Sequence, residues 1–115
     1  MVANARRATR KGVNEMSYAI VLVFEGVTED DYWRVNDTLG VGRDGSGDWP
    51  DGMKSHAGGP TENGWLVIEK WESKEAHEAF MASRLGAAIA AAGVPAPVHI
   101  FETDTINEHH FGPRS

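Results

Sequence analysis

"HAGGPTENGWLVIEKW", His56–Trp71, is the stretch whose period decides the fold. In its second half Trp65, Val67, Glu69 and Trp71 fall on one side and Leu66, Ile68 and Lys70 on the other. That two-residue alternation is the signature of a β-strand. "PTENG", Pro60–Gly64, carries turn residues, so "MKSHAGG", Met53–Gly59, reads as the returning strand of a hairpin. A turn centred on Thr61–Glu62 pairs Gly59 with Gly64, His56 with Val67 and Lys54 with Glu69. Directly opposed residues share a face. This register therefore gathers His56 and Lys54 with Trp65, Glu69 and Trp71, and a slip of one residue would turn every one of them over.

The flanks extend the pattern. "SYAIVLVFE", Ser17–Glu25, is apolar and rich in Val and Ile, which predicts a mostly buried strand. Thr28 then caps a helix with Glu29, Asp30 and Asp31 in its first turn, where the helix dipole favours anions. Tyr32, Val35 and Leu39 make its apolar face and Gly40 its stop, with Tyr32 and Trp33 read as packing residues. Beyond the hairpin, Ser73 caps "SKEAHEAFMASRLGAAIAAAG", a second helix with a break or bend at Gly86. Gly93, Pro95 and Pro97 end it, and Val98–Ile106 reads as a last strand. The order β-α-β-β-α-β predicts an α+β, ferredoxin-like subunit: a four-stranded antiparallel sheet with helices on one face. On this reading Trp65, Val67 and Trp71 lie on the uncovered face, and a second copy of the chain is expected to bury them.

Composition sets the outer limits. A chain of 115 residues with 41% hydrophobic and 24% charged residues suits one globular domain. Cysteine is absent, so disulfides, zinc–thiolate sites and thiol nucleophiles are excluded. No apolar run reaches a membrane span of about 18 residues, and the N-terminus carries no signal-peptide core. The expectation is a cytoplasmic protein without membrane partners. Arg6, Arg7, Arg10 and Lys11 concentrate basic charge in the first fifteen residues of a chain whose net charge is −6. The remaining body is acidic, which argues against a nucleic-acid-binding face. The expected organisation is a disordered basic extension over 1–15, one domain over 16–106 and a flexible tail over 107–115. Met16 is an alternative start.

Two motif look-alikes share "GVGRDGSGDW", Gly40–Trp49. Gly40, Gly42 and Gly45 spell G-x-G-x-x-G, but that fingerprint must follow a strand and open a helix, and here it follows a helix. Asp44, Ser46 and Asp48 begin like a calcium loop, but Trp49 and Ser55 occupy the places that need Gly and Glu. What remains is a long connection that Trp49 is able to anchor over His56.

"HAGGPTENGWLVIEKWESKEAHEAF" resembles the centre of the dimeric α+β barrel superfamily. It is similar in particular to small actinobacterial members related to antibiotic-biosynthesis monooxygenases. The recognisable pieces are the His56–Pro60 turn and the Trp71–Ser73 junction. The resemblance implies a homodimer whose sheets face each other and a pocket in each subunit. The haem-degrading branch is not matched, because Phe80, Ala90 and Tyr18 stand where it has Trp, His and Asn. The cofactor-free quinone-forming branch is matched at Trp71; its Tyr falls near His77, and Arg84 lies in the helix without a secure correspondence to its Arg.

The candidate catalytic pair is His56 and Glu69. Imidazole titrates near neutrality and suits general-base work, and a neighbouring carboxylate can orient it. Trp65, Trp71, Trp49 and His77 are the candidate substrate-binding residues. The competing reading makes His56 structural and Lys54–Glu69 a cross-strand ion pair, and leaves His77 in water. No metal is expected, because His109 and His110 are adjacent and no carboxylate stands at a fixed spacing nearby, and no serine triad is expected, because no Ser stands in a nucleophile elbow. No cofactor is expected either. The functional expectation is a cofactor-independent monooxygenase or isomerase acting on an aromatic or polyketide-like small molecule. The alternative is a non-catalytic small-molecule-binding or interaction module using the same pocket.

Overall fold

In the computed structural model, which describes residues 16–112, β1 (Tyr18–Glu25) buries every second side chain: Tyr18, Ile20, Leu22 and Phe24. The basic segment 1–15 and residues 113–115 of the tail lie outside the described residues. Thr28 caps α1 (Glu29–Leu39) reciprocally. Its hydroxyl accepts the Asp31 N–H at 3.1 Å, and the Asp31 carboxylate accepts the Thr28 N–H at 3.0 Å. Two of the donors that a helix start leaves unpaired are satisfied this way. Gly40 ends the helix at φ 82°, a left-handed conformation that glycine adopts without the Cβ penalty.

β2 (Met53–Pro60) and β3 (Gly64–Trp71) form the hairpin. Ser73 accepts the Ala76 N–H at 3.1 Å and starts α2 (Lys74–Phe80). The chain passes through one π-helical turn, Met81–Leu85, into α3 (Gly86–Ala92). The Gly86 N–H bonds the Met81 carbonyl, five residues back, and this widened turn is where the sequence predicted a break. β4 (His99–Asp104) closes the order. The sheet runs β2-β3-β1-β4, antiparallel at every step.

Three expectations are corrected here. The dimeric α+β barrel is the first. The four strands form an open ferredoxin-like sheet whose edges, β2 and β4, do not pair, so the sheet is not closed into a barrel. Four strands leave two unpaired edges, and closure demands that those edges meet.

The second concerns which face is covered. Trp65, Val67, Glu69 and Trp71 are buried, together with Val35 of α1 and Phe80, Leu85 and Ala88 of the second helical run. The helices therefore cover the tryptophan face. The outward face carries Ile68, 48% exposed, and Phe101, 61% exposed, with Val21 of β1 half-buried between them and Val23, also half-buried, next along the same face.

The third is register. His56 pairs with Glu69, Gly58 with Val67 and Pro60 with Trp65. The hairpin is shifted by two residues from the expected pairing, which keeps these side chains together on one face as the alternation predicts. An irregularity between Met53 and Ser55 takes Lys54 out of the ladder. Lys54 Nζ donates to Ser17 Oγ at 2.7 Å instead of meeting Glu69.

Behind β1 the chain after β4 is tied down by Glu108, a buried carboxylate. It accepts from Ser17 Oγ at 3.0 Å and from Thr105 Oγ1 at 2.8 Å, with His110 Nε2 at 2.7 Å. Burial by itself raises this carboxyl. The hydrogen bonds from Ser17, Thr105 and His110 and the Lys54 ammonium outweigh burial and hold it at about 2, below its ordinary 4.5. A depressed carboxyl stabilises the fold above its unfolded value, and that contribution disappears as pH falls from 4.5 through about 2. Glu108→Gln is expected to flatten stability against pH across that window, measured by urea unfolding. An unchanged acid slope would remove Glu108 as its source.

Candidate functional site

The hairpin register sets the first contact. His56 and Glu69 face each other across β2 and β3, and His56 Nδ1 lies 2.9 Å from Glu69 Oε2. The other carboxylate oxygen, Oε1, accepts the Trp71 indole N–H at 3.0 Å. Glu69 is 3% exposed, so both oxygens of a buried carboxylate are engaged. That is the condition under which such a group is tolerated. The carboxylate fixes the imidazole tautomer: Nδ1 carries the proton it donates to Glu69, and Nε2 is left as an acceptor.

α1 supplies what meets Nε2. Tyr32 lies on the helix face turned to the sheet, and its hydroxyl hydrogen-bonds His56 Nε2. The two rings are stacked, 12° apart in plane, and Trp65 packs against Tyr32 with ring centroids 4.9 Å apart. Burial raises the Tyr32 phenol; hydrogen bonding with Asn36 pulls it back and the Glu69 charge adds to the rise. The glycine pair in "HAGG" makes room. A Cβ on Gly58 would stand 3.1 Å from the Tyr32 hydroxyl and 3.0 Å from Trp65 Nε1.

These groups line an apolar cavity between sheet and helices. Leu22, Phe24, Val35, Leu85 and Ile89 form much of its wall, and Tyr32, Asn36, His56 and Glu69 bring its polar atoms. The centres of water-sized molecules have about 70 Å³ of room there. One water needs roughly 10–15 Å³ on that measure, so the cavity matches a single small ring rather than a fused ring system.

The Gly40–Gly52 connection closes one side. Trp49 and Pro50 line the cavity, and the Trp49 ring sits 5.4 Å from the His56 ring. Trp49, Met53 and His56 also line an outer cleft with Lys54 and Ser55, so they form the partition between cavity and solvent. The loop has its own order. Asp44 Oδ1 accepts from the Ser46 N–H and hydroxyl, and Trp49 Nε1 donates to the carbonyls of Gly45 and Ser46. Gly47 passes so close to Gly40 that a Cβ would lie 2.2 Å from the Gly40 carbonyl oxygen. Arg84, on the π-helical turn, donates to the carbonyls of Leu39 and Asp48 at 2.8 and 2.6 Å and ties the start of the loop to its middle.

The structure thus brings His56, Glu69, Trp65 and Trp49 to one cavity. Trp71 is fully buried beneath it and acts on the site through its bond to Glu69. His77 is not in water: it is 6% exposed, packed between Tyr18 and Trp71, with no hydrogen-bond partner for Nε2. Burial lowers its basicity against the pull of Glu69, Glu78 and Glu102, and it stands apart from the cavity wall. His109 and His110 bond different partners, Asn107 and Glu108. Among the described residues no three His, Asp or Glu side chains converge as metal ligands would, and no helix is long and apolar enough to cross a membrane. Tyr32 and Asn36 are the site residues that sequence reasoning missed. The available signal was Tyr32's place on the apolar face of α1, next to the face that carries His56.

No family model matches the chain, and no curated protein matches it in sequence. Solved structures do match in shape. A protein of Chloroflexus aurantiacus J-10-fl inferred to be an antibiotic biosynthesis monooxygenase superposes with a TM-score of 0.57 at 18% identity, covering 85% of this chain and 100% of that one. A dimeric ferredoxin-like protein of unknown function from Thermobifida fusca gives 0.46 at 16% identity, over 78% of this chain and 89% of that one. A dimeric protein of ferredoxin-like fold from Bacteroides fragilis gives 0.44 at 12%, over 78% and 94%. At 18% identity the likeness to the Chloroflexus protein is one of architecture: this chain has the ferredoxin-like α+β fold.

Proposed function

We propose that the cavity binds a small aromatic molecule and removes a proton from it, with the His56 imidazole as the final acceptor and Glu69 holding that imidazole in place. One observation carries this reading: the 2.9 Å bond from His56 Nδ1 to a carboxylate that is 3% exposed, in the wall of an otherwise apolar cavity. A carboxylate on Nδ1 is what a general base uses, because it holds the tautomer and stabilises the imidazolium that forms. Trp65 and Trp49 hold the ring. For a phenol or enol, the carbanion left by deprotonation reacts with O₂ directly, one oxygen atom entering the product as a quinone oxygen and the other leaving as water. Without O₂, return of the proton to a different atom of the anion completes an isomerisation. The Chloroflexus protein's inferred role is compatible with this reading. A larger, polyketide-like molecule requires the Trp49 loop to swing away from His56.

The test is oxygen uptake and proton exchange across a panel of phenols and anthrone-like ketones, repeated with His56→Ala. Turnover that disappears in the variant supports the reading. Tight binding without turnover across the panel selects the binding-module alternative.

We also propose that the outward sheet face is covered by a second copy. Ile68, Phe101, Val21 and Val23 form an apolar patch whose centre carries no charge, so the patch can meet its own copy across a two-fold axis without like charges opposing. Light scattering is expected to return twice the 12.5 kDa chain mass. Phe101→Glu is expected to return the chain mass, and a wild-type monomer at micromolar concentration would overturn the proposal.

A further inference from the structure

The resting hydrogen bonds leave His56 without a free nitrogen. Nδ1 is engaged by Glu69, and Nε2 is engaged by the Tyr32 hydroxyl. A molecule in the cavity therefore meets an imidazole whose only basic lone pair is already occupied. Tyr32 also lines the cavity, and its oxygen retains acceptor capacity beyond the proton it shares with His56. We propose that Tyr32 is the residue that exchanges the proton with the bound molecule, its hydroxyl oxygen taking the ligand's proton as its own proton passes to His56 Nε2. This rests on the base reading given above and deepens it: the ligand is a weak acid, a phenol or enolisable ketone, whose acidic hydrogen points at Tyr32 rather than at His56.

The step balances. The ligand's X–H bond breaks and leaves its electron pair on the ligand. A new O–H bond forms on Tyr32 as the old one breaks, and an N–H bond forms at Nε2. The relay ends as ligand anion, neutral phenol and an imidazolium paired with the Glu69 carboxylate. The phenol carries no net charge before or after, which suits a half-buried group that its surroundings do not favour ionising.

The geometry around Tyr32 is built for that placement. Gly58 lies beneath the phenol, and a methyl group there would press on the hydroxyl and on Cζ, each 3.1 Å from the added carbon. Asn36, one turn along α1 and 7% exposed, is the buried amide whose hydrogen bonding bears on the same phenol. Three elements thus converge on one oxygen: α1 through Tyr32 and Asn36, β2 through His56 and Gly58, and β3 through Glu69 behind the imidazole.

The experiment uses 4-nitrophenol, whose ionised form absorbs at longer wavelength than its neutral form. The probe is titrated into the full chain at a pH where free probe is neutral, and the ionised fraction of bound probe is read. Wild type is expected to bind it ionised. Tyr32→Phe, which keeps the ring, is expected to reduce the ionised fraction at least tenfold. Gly58→Ala is expected to do the same with Tyr32 intact, near-UV circular dichroism confirming that both variants are folded. If Tyr32→Phe ionises the probe as well as wild type, or better because Nε2 is now bare, the relay is overturned and His56 acts directly. If wild type fails to bind the probe, binds it neutral, or is matched by His56→Gln, the base reading and the relay fall together.

Discussion

Replacing His56 with alanine is expected to lower turnover of a phenolic substrate by roughly a hundred- to ten-thousandfold, the range that general-base catalysis contributes. Ligand affinity is expected to change much less. The Trp65 and Trp49 rings and the aliphatic wall remain, and they supply contact area that does not depend on the imidazole. Glu69→Gln separates the two members of the pair. The amide has one acceptor oxygen where the carboxylate had two: turned to His56 Nδ1 it keeps that bond and sets its NH2 group against the Trp71 N–H, and the imidazolium loses its counter-ion. The expected result is a smaller loss in kcat than His56→Ala produces, with KM close to wild type. Turnover within threefold of wild type in His56→Ala would show that the proton goes elsewhere.

Trp71→Ala is expected to be the most destabilising single change in the described chain. Trp71 has no exposed surface and packs edge-on against His77 and tilted against Phe80. Truncating a buried tryptophan to alanine costs about 3–5 kcal/mol. Here the Glu69 oxygen that accepted the indole N–H is also left unpaired, which places the expected cost at the upper end, about 5 kcal/mol. Domains are stable by about 5–15 kcal/mol in total, so the variant is expected to sit at the edge of folding. Trp71→Phe keeps one aromatic ring in place and removes the donor together with the fused second ring, so the lost bond and a smaller cavity both count. It is expected to cost about 1–3 kcal/mol. Urea unfolding checks both, and a Trp71→Ala midpoint equal to that of wild type would contradict the packing argument.

How far the site was legible can be followed residue by residue. His56 and Glu69 were placed on one face by alternation together with a turn centred on Thr61–Glu62, and the two-residue shift in their pairing left them sharing a face. The shift itself was illegible. It depends on where the turn tightens, which does not alter the hydrophobic pattern, and the irregularity that displaces Lys54 at the far end of β2 was equally hidden. Trp65, Val67 and Trp71 were correctly grouped but assigned to the uncovered side. A period of two says which residues go together; it does not say which side the helices occupy. Tyr32 was read as packing, and packing is what its position on α1 dictates. That its hydroxyl ends at His56 Nε2 follows from how α1 lies across β2, a relation between elements 24 residues apart. His77 and the Trp49 loop were undecidable for the same reason: a helix residue's burial depends on what crosses it.

The sequence by itself determined the local elements and their order. Caps at Thr28 and Ser73, the stop at Gly40 and the alternation of β3 are short-range physics, settled within a few residues along the chain. It also determined that one face of the hairpin would hold an imidazole, a carboxylate and two indoles together. Only the tertiary structure decided that the sheet stays open, that the helices cover that face, and that the face is a cavity wall rather than an exposed patch. The physical reason is that burial is a property of pairs of elements. The free energy of covering an apolar face is the same whichever element supplies the cover, so the pattern within one strand records the demand for burial and not what meets it.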